Sequence, residues 1–157
     1  MPSNEKTTTT ATSVSVSRVI DAAATDIFAI LADPSLHPVI DGSGTVVSVK
    51  GDKGQRLTMG TKFGMRMKIG LPYAMTNTVV EFEQDRLIAW QHVGGHRWRY
   101  ELSEGEDGTT VTETFDWATS RAPLYITLMK WPQRHIGNMT RTLNRLEALV
   151  LNRKQPI

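Results

Sequence analysis

The most constraining feature of the sequence is a run of five strand-like segments between residues 61 and 117, joined by very short connections. The segments are "TKFGMRMKI", "YAMTNTVVEFE", "RLIAWQHV", "HRWRYEL" and "TTVTETFDW". They alternate apolar and polar side chains or are rich in β-branched and aromatic residues, which is typical of strands. The connections "GLP", "QD", "GG" and "SEGEDG" leave room only for hairpin turns. Successive strands are therefore expected to be antiparallel neighbours in a meandering sheet.

The segments on either side of this run complete the predicted order of elements. "TSVSVSRVI" (12–20) and "TVVSVK" predict further strands, and "AAATDIFAILAD" (22–33) and "DPSLHPVIDGSG" predict two short helices. We predict a long amphipathic helix over 124–151, with Pro132 marking a kink or its start. Its apolar face carries Ile136, Met139, Leu143, Leu146 and Val150. The sequence thus predicts an α+β fold of order β-α-α-β6-α, in which about seven antiparallel strands are covered by the last helix.

The composition excludes several classes of protein. A chain of 157 residues fits one domain, placed at 12–153, and the Thr-rich and Ser-rich start predicts a disordered tail over 1–11. There is no cysteine for disulfides or thiol catalysis. The formal net charge of +2, with no basic block, gives no argument for nucleic-acid binding. No apolar run approaches the roughly 20 residues of a membrane span, and no secretory signal is visible, so we expect a cytoplasmic protein.

The short turns also predict which residues face the helix. If Gly94-Gly95 and Gln84-Asp85 are two-residue loops, three rows of side chains cross the inner face. These rows are Val80–Ala89–Tyr100–Glu113, Thr78–Gln91–Trp98–Phe115 and Thr76–Val93–His96–Trp117. The outer face would then carry the row Val79–Trp90–Arg99, with Trp90 and Arg99 in a cation–π contact. One bulge would shift any of these rows.

The predicted inner face mixes aromatic residues with polar ones, which argues against a dry core. Each polar group would be costly there unless it were paired, whereas a half-wet cavity tolerates it. Met65 and Met67 on the neighbouring strand would form an adaptable wall of that cavity.

Glu113 is the most informative candidate for chemistry. Its parity places it in the cavity beside Tyr100, where burial would raise its pKa and make it a candidate acid or base. The alternatives are a bulge that turns Glu113 outward, or a salt bridge to an arginine of the final helix. His96 adjoins the Gly-Gly turn, either as a rim residue or as a proton carrier at the cavity mouth.

Other polar residues have simpler interpretations. We expect His37 and His135 on the surface, and His92 and His96 on opposite faces, which leaves no residues with metal-ligand spacing. Asp41 in "IDGSG" is expected to cap a turn. The functional alternative is that its loop borders the cavity entrance. The glycines of this loop do not make a phosphate loop, no nucleophile elbow is present, and no cofactor is predicted. The solvated side of the final helix is expected to carry Arg134, Arg141 and Arg145.

The chain resembles the START-like, helix-grip superfamily of birch-pollen-allergen-type proteins, in its bacterial polyketide cyclase/dehydrase-like (SRPBCC) branch. The resemblance rests on "SRVIDAAATDIFAILAD", "IDGSGTV", "VVEFEQDRLIAWQ", "WRYELSEGEDGTTVTETFDW" and the final helix. It implies a curved antiparallel sheet that grips the C-terminal helix, and a cavity for a hydrophobic molecule such as a lipid, polyketide or isoprenoid. It leaves catalysis open, because this fold hosts carriers, receptors and enzymes.

Three functions follow as hypotheses. The first is a carrier or binding protein for a hydrophobic ligand, and the second is a cyclase or dehydratase that uses Glu113, Tyr100 and His96. The third is a lipid- or quinone-presenting interaction module, and a homodimer is left open. The predicted ligand-binding residues are Met65, Met67, Thr76, Thr78, Val80, Ala89, Gln91, Trp98, Phe115, Trp117, Met139 and Leu143.

Overall fold

The computed structural model describes residues 5–50 and 54–154, which form one antiparallel sheet of eight strands and four α-helices. The strands are β1 Lys6–Thr9, β2 Ser13–Ile20, β3 Val46–Lys50, β4 Lys62–Ile69, β5 Leu71–Glu83, β6 Leu87–Gln91, β7 Arg97–Gly105 and β8 Gly108–Asp116. The helices are α1 Ala24–Leu31, α2 His37–Ile40, α3 Pro123–Leu128 and α4 Trp131–Lys154. The spatial order of strands is β1-β2-β8-β7-β6-β5-β4-β3. The predicted α+β class and the meander of β3 to β8 are confirmed.

Helix α4 lies across the sheet and packs against β2 and β8. Its buried face includes residues at steps of three and four, as its amphipathic pattern predicts. These are Met139, Leu143, Leu146 and Val150. The single helix predicted over 124–151 is instead two helices, because Lys130 has a left-handed backbone conformation (φ 55°) that interrupts it. Pro132 is the second residue of α4, where a missing N–H costs nothing, so it marks a start and not a kink.

The N-terminal segment corrects one prediction. The tail expected over residues 1–11 contains a strand, β1, which pairs with β2 although all of its side chains are exposed. Glu5 joins this segment to the body through Arg18 (3.3 Å) and Thr140 (2.8 Å). Backbone pairing holds β1 in place, and a pattern of buried side chains could not have revealed it. Residues 1–4 lie outside the described residues.

The pairing of β7 with β8 has the predicted register. Trp98 lies opposite Phe115, and Tyr100 lies opposite Glu113. Both strands alternate cleanly between apolar and polar residues, so matching their apolar faces was sufficient to align them.

The pairing of β6 with β7 differs from the prediction by one residue. Trp98 pairs with Trp90, because Gly94-Gly95 is not a two-residue turn. The loop is wider, and the His92 N–H donates to the His96 carbonyl (3.1 Å). A slip of one residue inverts the faces of a strand, so Trp90 points toward the helix and not away from it.

A register shift in β5 extends this correction. Val79 pairs with Trp90 but Glu81 pairs with Ala89, so Val80 is the extra residue of a bulge. Five residues predicted on the inner face therefore do not line the space beneath α4. They are Thr76, Thr78, Val80, Ala89 and Gln91. The predicted Trp90–Arg99 contact is also wrong, because the Arg99 guanidinium pairs with Glu81 (2.8 Å) on the outer face.

One end of the space between sheet and helix is filled by apolar side chains. Helix α1 buries Ile27, Phe28 and Leu31 there, and Phe28 meets Phe82 edge to face at 5.6 Å between ring centroids. Strand β2 adds Val16 to the same cluster. The other end, beneath the start of α4, is not filled. Within the described ranges, no helix combines the length and the apolar character that crossing a bilayer requires.

Candidate functional site

A cavity of about 480 Å³ lies between the sheet and the first half of α4. The sheet and the β6–β7 loop supply Phe63, Met65, Met67, Ile69, Tyr73, Met75, Asn77, Trp90, His92, His96, Trp98, Tyr100 and Glu113. Helix α2, the loop after it and the first residue of β3 supply His37, Ile40, Asp41, Ser43, Thr45 and Val46. Helix α4 supplies Trp131, Arg134, His135, Asn138, Met139 and Thr142. Aromatic rings and methionines make up much of this wall.

Glu113 and Tyr100 form a buried pair in the wall of the cavity. The Tyr100 hydroxyl donates to Glu113 Oε1 at 2.9 Å, while Glu113 Oε2 is buried without a hydrogen-bond partner among the described residues. Burial raises the pKa of Glu113 to about 8; the hydrogen bond from Tyr100 opposes this shift, and the nearby Asp41 carboxylate adds to it. Glu113 is therefore mostly protonated at neutral pH, and its carboxyl can donate a proton.

His37 lies on the side of the cavity next to this pair. Its ring stacks on Trp90 at 4.8 Å, and Trp90 in turn lies 5.5 Å from Tyr100. His37 Nε2 hydrogen-bonds the Leu31 carbonyl at 2.8 Å, and burial lowers the pKa of the ring. The expectation that His37 lies on the surface is wrong, because ring stacking and this hydrogen bond stabilise its imidazole inside the protein.

Three histidines gather beside Trp98 and Phe115. The rings of His92 and His96 are 4.6 Å apart, and the ring of His135, from α4, is 4.4 Å from Phe115. Two expectations are thus wrong: His135 is not on the surface, and His92 and His96 lie on the same side. The wide β6–β7 loop brings the latter two together.

Burial keeps all three imidazoles neutral at pH 7. Desolvation lowers the pKa of His92 to about 3, and the charges of His96 and His135 contribute to this shift. Desolvation likewise lowers the pKa of His96 and of His135 to about 4. The Nδ1 atoms of His92 and His135 are buried and have no partner among the described residues. In the part of the chain that is described, no group of three or more His, Cys, Asp or Glu side chains is arranged to hold a metal ion.

The "IDGSG" loop is fixed against α4 at the edge of the cavity. Thr142 Oγ1 accepts a hydrogen bond from the Gly42 N–H at 2.9 Å, and Arg141 Nε donates to the Gly42 carbonyl at 2.9 Å. A Cβ on Gly42 would lie 2.2 Å from the Asn138 carbonyl oxygen, so this close approach requires glycine. Asp41 caps the turn as predicted, accepting from the Ser43 N–H at 3.1 Å.

The structure brings together some of the predicted site residues and separates others. The three candidate catalytic residues Glu113, Tyr100 and His96 all line the cavity. Of the predicted ligand-binding residues, those in the cavity wall are Met65, Met67, Trp98 and Met139. The core residues Phe115, Trp117 and Leu143 are buried but lie outside that wall. The other five are the outward residues of β5 and β6 described above.

Sequence reasoning missed several residues of the cavity wall. Trp90 and Asn77 were missed because of the shifted register, and His37 carries no periodic signal. His135 had a signal that could have been used: it precedes Met139 by four residues, which places it on the buried face of α4.

Comparisons with known proteins agree with this architecture. Residues 11–150 match the family model for polyketide cyclase/dehydrase and lipid transport. An uncharacterised protein of Mycobacterium tuberculosis, Rv0088, is 43% identical over 114 residues, which is 68% of this chain and 49% of that protein. The chain thus spans about half the length of this curated relative.

Solved structures with low sequence identity share the fold. Protein NE0264 from Nitrosomonas europaea superimposes with a TM-score of 0.74 at 16% identity, covering 94% of this chain and 99% of that one. Protein Ms6760 from Mycobacterium smegmatis gives a TM-score of 0.69 at 18% identity, covering 95% and 97%. The polyketide-cyclase-like protein Cgl2372 from Corynebacterium glutamicum gives 0.59 at 16% identity, covering 98% and 96%.

Proposed function

Because the chain belongs to the polyketide cyclase/dehydrase and lipid transport family, we propose that it binds a hydrophobic small molecule between the sheet and α4, as a carrier or binding protein. The observation that carries this proposal is the cavity of about 480 Å³. Small-molecule sites in proteins are typically mostly apolar and about 300–1,000 Å³ in volume. A cavity of this volume suits one lipid-, polyketide- or isoprenoid-like molecule per chain.

The chemistry of the wall supports an amphipathic ligand. Its aromatic rings and methionines suit a flat or flexible apolar body. Its buried polar atoms without a partner among the described residues suit a few hydroxyl or carbonyl groups on that body. These atoms are Asn77 Oδ1, His92 Nδ1, Glu113 Oε2 and His135 Nδ1.

The test is binding of an apolar fluorescent probe, with native mass spectrometry of the purified protein as a search for a co-purified ligand. We expect about one probe per chain, displaced by lipids or aromatic polyketides. Met67→Trp places a larger side chain in the cavity wall and should weaken probe binding at least tenfold. Arg66→Trp makes the same change at the exposed, outward-facing neighbour on β4, and should leave binding unchanged.

Two results would contradict a ligand-binding cavity. One is a wild-type protein that binds no apolar probe and carries no small molecule. The other is equal loss of binding in Met67→Trp and Arg66→Trp, because the probe would then not occupy the cavity.

A second candidate function is acid–base catalysis, as in a cyclase or dehydratase, and the pKa values of the site favour it. Glu113 has a pKa of about 8 whereas His96 and His135 have pKa values of about 4, so a protonated acid and neutral bases share one cavity at pH 7. Titratable groups with pKa values driven apart are typical of acid–base sites. In a dehydration, an imidazole would take a proton from carbon while Glu113 protonates the departing hydroxyl, which leaves as water.

Glu113→Gln separates the two functions. The amide keeps the shape of the side chain but cannot deliver the proton. In a carrier, affinity for a neutral ligand should change little. In an enzyme, turnover of a polyketide-like substrate should be lost while the ligand still binds.

A further inference from the structure

Two elements beside the cavity expose large apolar side chains to solvent. Ile69 and Leu71, at the tip of the β4–β5 hairpin, are 67% and 79% exposed, and Leu124 and Leu128 on α3 are 85% and 79% exposed. Side chains this exposed contribute little to the core. When several lie at one end of a molecule, they mark a surface that another body covers.

Both elements flank the entrance of the cavity. Ile69 is itself part of the cavity wall although most of it is exposed. On α3, the ring of Tyr125 lies 5.7 Å from the ring of Trp131, which also lines the cavity. The exposed apolar side chains therefore surround the route by which a ligand would enter.

Basic and acidic residues are also distributed unevenly along the chain. The stretches 54–80 and 117–146, which contain these two elements, hold nine of the 18 Lys and Arg residues and none of the 16 Asp and Glu residues. Their formal charge is +9. The remainder of the sequence holds nine basic and 16 acidic residues, a formal charge of −7.

Basic side chains lie next to the exposed apolar ones. Lys68 precedes Ile69, Arg121 and Lys130 bracket α3, and Arg134 is exposed in the cavity wall. None of these four basic side chains is in an ion pair with another described residue. Their positive charges are therefore available to bind negatively charged groups outside the protein.

The acidic residues concentrate at the opposite end. Strand β5 runs about 40 Å from the entrance hairpin to its last residue, Glu83, and Asp85 lies in the turn that follows. The β7–β8 turn, with Glu106 and Asp107, lies at this far end too, since Gly108 approaches Ile20 and the Leu102 N–H donates to the Arg86 carbonyl. The molecule thus has a basic, apolar entrance and an acidic far end.

We propose that the entrance end docks on an anionic lipid membrane, with Leu71, Leu124 and Leu128 inserted among the acyl chains and the basic side chains at the level of the headgroups. Single protruding side chains on two separate elements suit insertion into a fluid interface better than packing in a flat protein contact. Basic residues near such a surface each strengthen partitioning about fivefold. Docking would let an apolar ligand move between bilayer and cavity without crossing water, which extends the proposed binding function.

The experiment is flotation of the full chain with vesicles of neutral phosphatidylcholine, or of phosphatidylcholine with 30% phosphatidylglycerol. We expect binding to the anionic vesicles, little binding to the neutral ones, and weaker binding in 0.5 M than in 0.05 M NaCl. No binding of the wild-type chain to anionic vesicles would overturn the proposal.

Matched variants test the two parts of the surface. Leu124→Ser with Leu128→Ser should weaken partitioning at least tenfold, whereas Met59→Ser, at an exposed apolar residue before β4, should not. Arg121→Gln with Lys130→Gln should weaken it about 25-fold, whereas Arg86→Gln with Arg153→Gln, at the far end, should change it little.

The vesicle binding of the entrance variants, compared with that of their controls, decides whether the proposal holds. Loss in both entrance variants and in neither control supports docking on a membrane. If the charge variant alone loses binding, the surface recognises negative charge without insertion, as an acidic protein partner would require, and the membrane proposal fails. Probe binding is measured on the same variants without vesicles and should be unchanged, so failure of docking and failure of the ligand-binding function are distinguished.

Discussion

Tyr100 donates a hydrogen bond to Glu113 across the paired strands β7 and β8, at a position where both side chains are almost entirely buried. A carboxyl that is buried with one oxygen paired and the other unpaired favours its protonated form. Since an unfolded chain would release that proton at a much lower pH, the pair makes stability depend on pH.

Glu113→Gln is therefore expected to flatten the stability profile on the alkaline side. The pKa of Glu113 is raised from 4.5 to about 8, so the folded state binds more protons than the unfolded state between these values. Stability from this group is fully present below pH 4.5 and is lost as the pH rises through 8. The loss is on the order of 5 kcal/mol, measurable by urea unfolding at several pH values.

The control for this prediction is Glu106→Gln, which changes an exposed carboxylate in the β7–β8 turn. It should leave the profile of the wild-type protein intact. If Glu113→Gln shows the same alkaline decline as the wild type, the decline does not come from the Glu113 carboxyl.

The buried histidines are expected to act on the acid side. The folded pKa is lowered from 6.5 to about 3 for His92 and to about 4 for His96 and His135, so below pH 6.5 the unfolded state binds more protons. Stability should fall as the pH drops from 6.5 toward 4. Glu113→Gln is the best background for this measurement, because the opposing contribution of Glu113 is then absent. Imidazole signals in NMR that titrate near pH 6.5 would contradict the burial of these rings.

The sequence predicted the fold well, because the strands after residue 61 are joined by short turns and the last helix has a clear apolar face. The register of β7 with β8 could be predicted because apolar and polar residues alternate regularly in both strands, and this register places Glu113 beside Tyr100. The prediction failed at β6, because the width of the β6–β7 loop depends on a backbone hydrogen bond between His92 and His96 that no residue pattern encodes. Because of this one-residue error in register, Trp90 was predicted on the outer face, whereas it lies in the cavity wall.

Gly42→Ala is expected to destabilise the protein by about 2 kcal/mol or more, because its Cβ would lie 2.2 Å from the Asn138 carbonyl oxygen and the loop could not stay on α4. Gly137→Ala is the control on the same helix. It meets only the end of the Arg141 side chain at 3.5 Å and should stabilise the helix by about 0.5–1 kcal/mol. Thermal unfolding of both variants measures the difference. Equal stability of Gly42→Ala and the wild type would mean that the loop is not held against the helix.

Asn77 is expected to select ligands that carry a hydroxyl group. Its Oδ1 is buried in the cavity wall and has no partner among the described residues, so a ligand hydroxyl that donates to it replaces a costly unpaired atom with a hydrogen bond. The matched probes 2-naphthol and 2-methylnaphthalene differ only in that group. Wild-type protein should prefer 2-naphthol by about fivefold to tenfold, the ratio of dissociation constants expected for one hydrogen bond.

Asn77→Leu, similar in size but without the acceptor, should remove the preference and bind 2-methylnaphthalene at least as well. Thr76→Val, on the neighbouring exposed residue, should retain it. A preference that survives in Asn77→Leu would assign the hydroxyl to Glu113 or to the histidines, and titration calorimetry of the two probes against the three proteins decides between these outcomes.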